Sequence, residues 1–464
     1  MPAFKHRVIM LDPARTCDTL QQYHDMLPLI RDWGYNAIHW HFVDDEGCRM
    51  VFPSHPELSS PGAFTVEEMK GLIAAAAKLG IEFIPEIECY GHVRFITGHP
   101  DYADLGDPDG LHFNAIDPNN KRSREVIRDL LRDTAEIFPA NILHVGLDEV
   151  NIRALKRYKD ITDDQAWKLF AKHTNWVCDE VRKLGKRPAM WGDHLWKEPR
   201  IADKVATDVL IFDWHYDEDL NHKLDFFTQR GFEVWACPAT MCWYARIVPG
   251  RRNLLNTRYF TAEAKVRRKQ GVTGMVNTVW TPRRFLTGAL DWPSALAGHI
   301  FTEEHEDPKY AVKFAQQTFG LNKTDAATCA EAIERLHEFA PLGAIYDSII
   351  TGNGWHHTYN NEHLRQAGII DREMKAVIAS LTKLVPKAKK HADRLNEVLL
   401  SARILERVAM FAIAGRKKSK LPGGKPLWDE VEARWNVTRA HTWKVAKKEQ
   451  EQRDRMMYML KKIV

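Results

Sequence analysis

Asp148 and Glu149 are adjacent carboxylates closing the run N-I-L-H-V-G-L-D-E-V at 141–150. Two neighbouring carboxylates repel each other, and in a shielded site one of them tends to hold its proton near neutrality. One acid beside one anion is the equipment that cleavage of a glycosidic bond needs. Alone, an Asp-Glu at a strand-to-loop junction is an ordinary solvated turn, so the case depends on what surrounds it. Ile142, Leu143 and Val145 are apolar and β-prone, which predicts a short buried strand broken at Gly146, with both carboxylates beyond its end.

The elements that must position this pair alternate in type. Strands are predicted at 8–11, 37–42, 82–85, 142–146, 188–191, 209–212, 233–236 and 275–278. Helices are predicted between them near 19–32, 65–79, 122–137, 164–183, 219–230 and 261–269. Gly80 and Gly231 sit where C-terminal helix caps are expected. Strict alternation points to a (β/α)8 TIM barrel over 1–306 rather than a doubly wound sheet. Helices without intervening strands are predicted at 308–319, 323–339, 362–384, 387–414 and 427–462, which makes 307–464 a C-terminal α-helical domain. The basic stretch R-K-K-S-K-L-P-G-G at 416–424 is read as a solvated loop.

Composition excludes several classes. The chain has 464 residues, 28% of them charged, with a formal net charge of +4, which argues neither for nucleic acid nor for an acidic membrane surface. No apolar run reaches spanning length, and the N-terminus lacks the apolar core of a signal peptide. Seven scattered cysteines without C-x-x-C spacing argue against a disulfide framework or structural zinc, so a reducing cytoplasm is expected. Fifteen Trp residues could serve as platforms for sugar rings or simply fill the core.

In a barrel, reactive side chains come from the C-terminal ends of strands. Strand one leads to Asp12 and Arg15, and strand two to His39, His41, Asp44 and Asp45. Strand three leads to Glu86, Glu88 and His92, and strand four to His144, Asp148 and Glu149. Strand five gives Trp191 and Asp193, strand six Asp213, Trp214 and His215, and strand eight Trp280. Acids, histidines, an Arg that can fork vicinal hydroxyls and Trp walls make a saccharide site.

The strings W-H-F-V-D-D-E-G, I-P-E-I-E-C-Y-G-H and H-V-G-L-D-E-V, in this order and spacing, resemble glycoside hydrolase family 20, the β-N-acetylhexosaminidases. The resemblance covers roughly residues 7–300 and is closest to the hexosaminidase D branch, without the N-terminal α/β domain of many members. It implies an exo-acting, retaining enzyme acting on N-acetylhexosamine-terminated glycans or glycoconjugates, without cofactor or metal. Catalysis is then substrate-assisted, an exception to the usual two-carboxylate geometry. Glu149 would be the general acid, protonated at rest. Asp148, ionised, would orient the substrate's 2-acetamido group, whose carbonyl oxygen attacks the anomeric carbon and forms an oxazolinium ion. Asp44 and His92 would be the supporting dyad, and Arg15 the grip on ring hydroxyls. Trp191, Trp214 and Trp280 would wall the acetamido pocket. Tyr244 is the candidate for the acetamido-binding Tyr, with Trp243 or Arg246 as alternatives in that register.

One position departs from the family pattern. Pro282, followed by Arg283 and Arg284, stands where many members carry a Glu that binds the distal hydroxyls. GlcNAc-versus-GalNAc preference and tolerance of a charged sugar are therefore open.

Three rival readings exist. A metal-dependent TIM-barrel hydrolase would use His39, His41, His92, His144 and Asp148. A non-catalytic sugar-binding barrel would have no need of a proton donor. A scaffold working through the helical tail leaves the strand-end residues unexplained. The oligomeric state is open, with a homodimer as the candidate.

Overall fold

The computed structural model describes residues 2–106, 115–216, 223–243, 245–280, 285–339, 345, 361–416, 421, 423–440, 444 and 456–464. The chain divides into two compact units, Met1–Ala239 with Tyr259–Val279, and Thr240–Arg258 with Trp280–Val464.

The first unit is built on eight parallel strands. They are β1 (His6–Leu11), β2 (Ala37–His41), β3 (Glu82–Glu86), β4 (Ile142–His144), β5 (Arg187–Trp191), β6 (Leu210–Trp214), β7 (Val234–Cys237) and β8 (Val272–Val279). Each pairs with the next, and β8 pairs back onto β1, with Val8 opposite both Val276 and Ala37. The barrel is therefore closed and has no free edge. Val8, Met10, Ile38, Ile84, Met190, Ile211, Val234 and Val276 are all fully buried, as strands covered on both faces require. The eight predicted strands match these within a few residues at either end.

The intervening helices start at side-chain caps. Thr19 and Asn120 accept backbone N–H groups of the first turn, and Thr65 and Thr162 form full capping boxes with Glu68 and Gln165. Such a cap contributes on the order of 1 kcal/mol and fixes where the chain leaves each loop. Gly80 and Gly231, at φ +74 and +82, take the left-handed turn expected after their helices. The helix predicted at 261–269 begins earlier and spans Arg251–Val266, because the Pro249-Gly250 break precedes ten residues with no further breaker. Of the helix predicted at 219–230, Lys223–Thr228 is seen, and 217–222 lie outside the described residues.

The second unit is helical, with Asp291–Thr302, Tyr310–Phe319, Lys323–Glu338, Asn361–Leu384, Ala392–Arg416, Lys425–Thr438 and Met456–Ile463. The single helix predicted at 427–462 is interrupted. It ends at Thr438, where Arg439 turns extended and sends its guanidinium to Thr287 Oγ1 (2.6 Å) and the Phe285 carbonyl (2.9 Å). A buried tertiary anchor has overridden local helical propensity. Among the described residues, no helix is long and apolar enough to cross a membrane.

Candidate active site

The turn after β4 turns its two carboxylates into different surroundings. Gly146, Leu147 and Glu149 all have positive φ (+65, +75 and +48). For the two non-glycine residues this costs of order 1–3 kcal/mol each, so the surroundings must hold them there. Asp193 Oδ2 lies 3.4 Å from the Glu149 N–H, and His194 Nε2 accepts the Val150 N–H at 2.9 Å. Gly146 is favoured for a second reason, since a Cβ there would lie 2.0 Å from Glu88 Oε2 and would displace that carboxyl. Gly91 serves the opposing loop in the same way. A Cβ on it would meet the Asp148 carbonyl at 2.5 Å, so glycine lets the backbone that presents His92 close onto the acid turn. The result buries Asp148, whereas the Glu149 side chain stays 37% exposed.

His92 joins the two carboxylates to the far wall. Its Nε2 is 3.4 Å from Glu149 Oε2 and 3.7 Å from Asp148 Oδ2, and its Nδ1 is 3.3 Å from Asp45 and 3.6 Å from Asp44. Burial alone would lower the His92 pKa, but the Asp148 and Asp44 carboxylates overcome it and raise it well above the ordinary value. The expected Asp44–His92 pairing is present, with Asp45 nearer still. Asp45 also accepts the Arg94 N–H at 3.0 Å, which ties the His92 loop to the loop after β2.

Behind Asp44 runs a buried chain of alternating charge. Arg15 donates to Asp12 (3.0 Å) and Asp44 (2.7 Å), Asp44 meets His41 Nε2 at 3.1 Å, and His41 Nδ1 meets Glu86 at 2.6 Å. Burial disfavours the His41 cation, yet the Glu86 carboxylate raises its pKa to about 10. Burial would raise Asp44, but Arg15 and His92 hold it well below the usual carboxylate range. Asp44 is thus an anion fixed on several sides, suited to orienting His92.

Burial pushes Asp148 up to about 7; His92 opposes the shift, and the Asp193 and Glu149 charges add to it. Asp148, the buried member of the pair, is thus a raised carboxyl. Beneath it Glu88, fully buried, is raised well above its ordinary value by burial and by Asp148 and Glu86. Neither Glu88 oxygen has a hydrogen-bond partner among the described residues.

Asp213, at the end of β6, is a third raised acid. Neither of its oxygens has a partner among the described residues, and burial lifts it to about 7 despite nearby Lys223. Because its folded pKa lies above the unfolded value of 3.8, its contribution to stability is complete below pH 4. That contribution is lost as pH rises towards 7, where the fold must accept a buried anion. Between pH 5 and pH 8 this amounts to roughly 2–3 kcal/mol from this residue. Urea unfolding at these two pH values should show that loss in the wild type and its near disappearance in Asp213→Asn. Equal pH dependence in both proteins would refute the assignment.

The predicted aromatic walls are placed unevenly. Trp191 is fully buried and donates its indole N–H to Glu86 Oε1 at 2.6 Å, so it supports the floor instead of facing the opening. Its ring packs against His144 and Phe212, with centroids 4.7 and 5.7 Å away. Trp214 is half-buried and stacks on Tyr216 at 5.2 Å. Trp280 belongs to the second unit, as do Arg246 and the exposed Trp243. Tyr244, Pro282, Arg283 and Arg284 lie outside the described residues.

The hexosaminidase reading of the sequence assigned no roles to His41, Asp45, Glu86, Glu88, Asp193 or His194, and His41 entered only in the metal alternative. A signal existed for two of them, because His41 and Glu86 are register partners on adjacent strands. The rival metal reading does find donors close together. His39, Glu86 and His144 lie within 4.8 Å of one another, as do His92, Asp148 and Glu149. Glu86, however, already serves His39 (3.2 Å), His41, His144 (3.1 Å) and Trp191, which leaves its oxygens little capacity for a cation.

The model of the glycosyl hydrolase family 20 catalytic domain matches residues 4–280. A β-hexosaminidase of Vibrio furnissii is 29% identical over 252 residues, covering 46% of this chain and 40% of its own length. The β-hexosaminidase subunit alpha of Mus musculus is 27% identical over 257 residues, covering 50% and 47%. The chain thus spans less than half the length of these curated relatives. Among solved structures, β-N-acetylhexosaminidase from Bacteroides fragilis superposes with a TM-score of 0.57 at 18% identity, over 68% of this chain and 70% of that one. An exo β-N-acetylglucosaminidase from Vibrio harveyi, in complex with N-acetylglucosamine, gives 0.56 at 24% identity, over 73% and 59%. At these identities the structural likeness concerns the fold.

Proposed function

The chain belongs to glycoside hydrolase family 20, and from that membership we propose that it is an exo-acting, retaining β-N-acetylhexosaminidase, removing terminal β-linked GlcNAc or GalNAc with the substrate's own acetamido group as nucleophile. One observation carries the reading: Asp148 and Glu149 reach the same His92 nitrogen, at 3.7 and 3.4 Å, from a single loop. A retaining enzyme with its own nucleophile holds two carboxyls about 5–5.5 Å apart with the sugar's reacting bond between them. A pair gathered on one imidazole supports a different division of labour.

Glu149, the more exposed of the two, faces the leaving oxygen and gives it a proton as the bond to the anomeric carbon breaks. The acetamido carbonyl oxygen forms the new bond to that carbon. Asp148 meets the acetamido N–H, and the positive charge developing on that nitrogen favours its anion, countering the burial that raises its pKa. A water then attacks the anomeric carbon from the side the leaving group vacated. Glu149 takes the water's proton, the acetamido group is restored, and configuration is retained. Asp44, Asp45 and His92 hold the pair in place, with Arg15 bracing Asp44 and offering its exposed edge to the ring hydroxyls. The seven free, buried cysteines support work in a reducing compartment such as the cytoplasm.

Aryl β-glycosides of GlcNAc, GalNAc, glucose and galactose test the proposal. Turnover is expected for the 2-acetamido sugars alone, and equal turnover of plain glucose would refute acetamido assistance.

A further inference from the structure

Glu86, the last residue of β3, is fully buried, and the proposed chemistry gives it no step. Alternation along the strand puts it on the same face as Ile84, an apolar chain that is also fully buried. A carboxylate in such a place costs several kcal/mol to desolvate, and an apolar residue of similar size often serves a fold equally well. Packing alone does not call for it.

Its two oxygens lead to different parts of the site. Register sets Glu86 opposite His41 on β2 and His144 on β4. The two shortest contacts are at opposite oxygens. Oε2 meets His41 Nδ1 at 2.6 Å, and Oε1 accepts the Trp191 indole N–H at 2.6 Å. His39 and His144 lie farther off, at 3.2 and 3.1 Å. From Oε2 the chain continues through His41 Nε2 to Asp44 (3.1 Å) and on to His92 (3.6 Å), the imidazole behind Glu149. Each His41 nitrogen faces a carboxylate, so both carry hydrogen, and the ring is a cation fixed between two anions. From Oε1 the other limb ends on Trp191, whose ring lies against His144 and Phe212 under the site. Only a carboxylate offers an acceptor to both donors. Glutamine would hold one limb and turn its own N–H groups towards the other.

We propose that Glu86 is a positioning residue with two outputs: through His41 and Asp44 it orients the imidazole that serves the proton donor, and through Trp191 it fixes the floor under the acetamido group. The proposal rests on the hexosaminidase reading, with Glu149 as its acid. It makes one carboxylate in the barrel interior common to protonation of the leaving group and to attack on the anomeric carbon.

The full chain should be compared on N,N′-diacetylchitobiose, which needs the proton, and on the dinitrophenyl β-glycoside of GlcNAc, which does not. Trp191→Phe keeps an aromatic ring and removes the donor, and should lower kcat/KM about fivefold on both substrates alike. His41→Gln breaks the other limb and should cost about tenfold more on the disaccharide than on the dinitrophenyl glycoside. Glu86→Gln should show both signatures, and adding Trp191→Phe to it should cost less than about twofold further, because the two changes act through one bond. A folded Glu86→Gln protein with kcat and KM near those of the wild type would overturn the proposal, as would full additivity in the double variant. Should Glu86→Gln fail to fold, the two single variants decide, and the same substrate profile in both would exclude separate limbs. All these results leave the hexosaminidase reading intact. A wild type that cleaves neither substrate would overturn both.

Discussion

Glu149→Gln is expected to lower kcat/KM on a GlcNAc disaccharide by roughly 10²–10⁴-fold, the range of general acid–base catalysis, and to lose far less on a dinitrophenyl glycoside. The difference follows from where the proton is needed. A sugar alkoxide is a poor leaving group and departs only as its oxygen is protonated, whereas a dinitrophenolate leaves unaided. Glutamine keeps the shape and the hydrogen-bonding reach of the side chain but has no proton to give. The Glu149 backbone is held by the turn itself, through its positive φ and the contact with Asp193, so the amide should sit where the acid sat. A loss of the same size on both substrates would place Glu149 outside the proton-donor role. Measurements at several pH values sharpen the test, since removing a general acid also removes the alkaline limb that it causes.

Asp148→Asn should cost about 10²–10³-fold on both leaving groups alike, the magnitude found when one transition-state hydrogen-bonding partner is removed. The acetamido oxygen bonds to the anomeric carbon as the leaving group departs, whichever group that is, so weakening the nucleophile lowers every substrate that depends on it. The residue is buried beside His92, Asp193 and Glu88, and its pKa of about 7 shows how little it costs the empty site to keep it neutral. Substrate, bringing an N–H that gains positive charge, shifts the balance towards the anion. Asparagine mimics the neutral state and cannot follow that change. Ground-state binding should therefore change little while kcat falls, and a mainly KM effect would show that Asp148 only positions the sugar. The contrast between the two variants, one sensitive to leaving group and one not, separates the two carboxylates more cleanly than either loss alone.

The barrel was legible because parallel strands covered on both faces read as short apolar runs, and breakers such as Gly80 and Gly231 punctuate the helices between them. Thr438 marks where that reading stops working, since the helix ends there because of a distant anchor on Phe285 and Thr287 that no local pattern encodes. At the site, Asp44, His92, Asp148 and Glu149 were legible as strand-end chemistry and are brought together. Trp191, expected as a pocket wall, lies fully buried with its indole N–H on Glu86 for a geometric reason. At a strand end, alternate residues point to the barrel interior and to the surrounding layer, and the sequence does not say how deep an inward ring lies. The supporting roles of His41, Glu86 and Glu88 were not legible because polar residues within strands gain this meaning only once the register pairs them. Which carboxylate of the pair is the buried one was not legible, since neighbouring carboxylates look alike in sequence.

The most direct test of substrate assistance is the rate on a 2-acetamido sugar against its 2-hydroxyl counterpart, as aryl β-glycosides with one leaving group and with Glu149→Gln as the blank. Wild-type kcat/KM for the GlcNAc or GalNAc glycoside should exceed that for glucose or galactose by at least about 10³-fold, because the plain sugars carry no internal nucleophile. Comparable rates on both series would mean that a protein side chain attacks the sugar, and would contradict the role of Asp148 as the partner of the acetamido N–H.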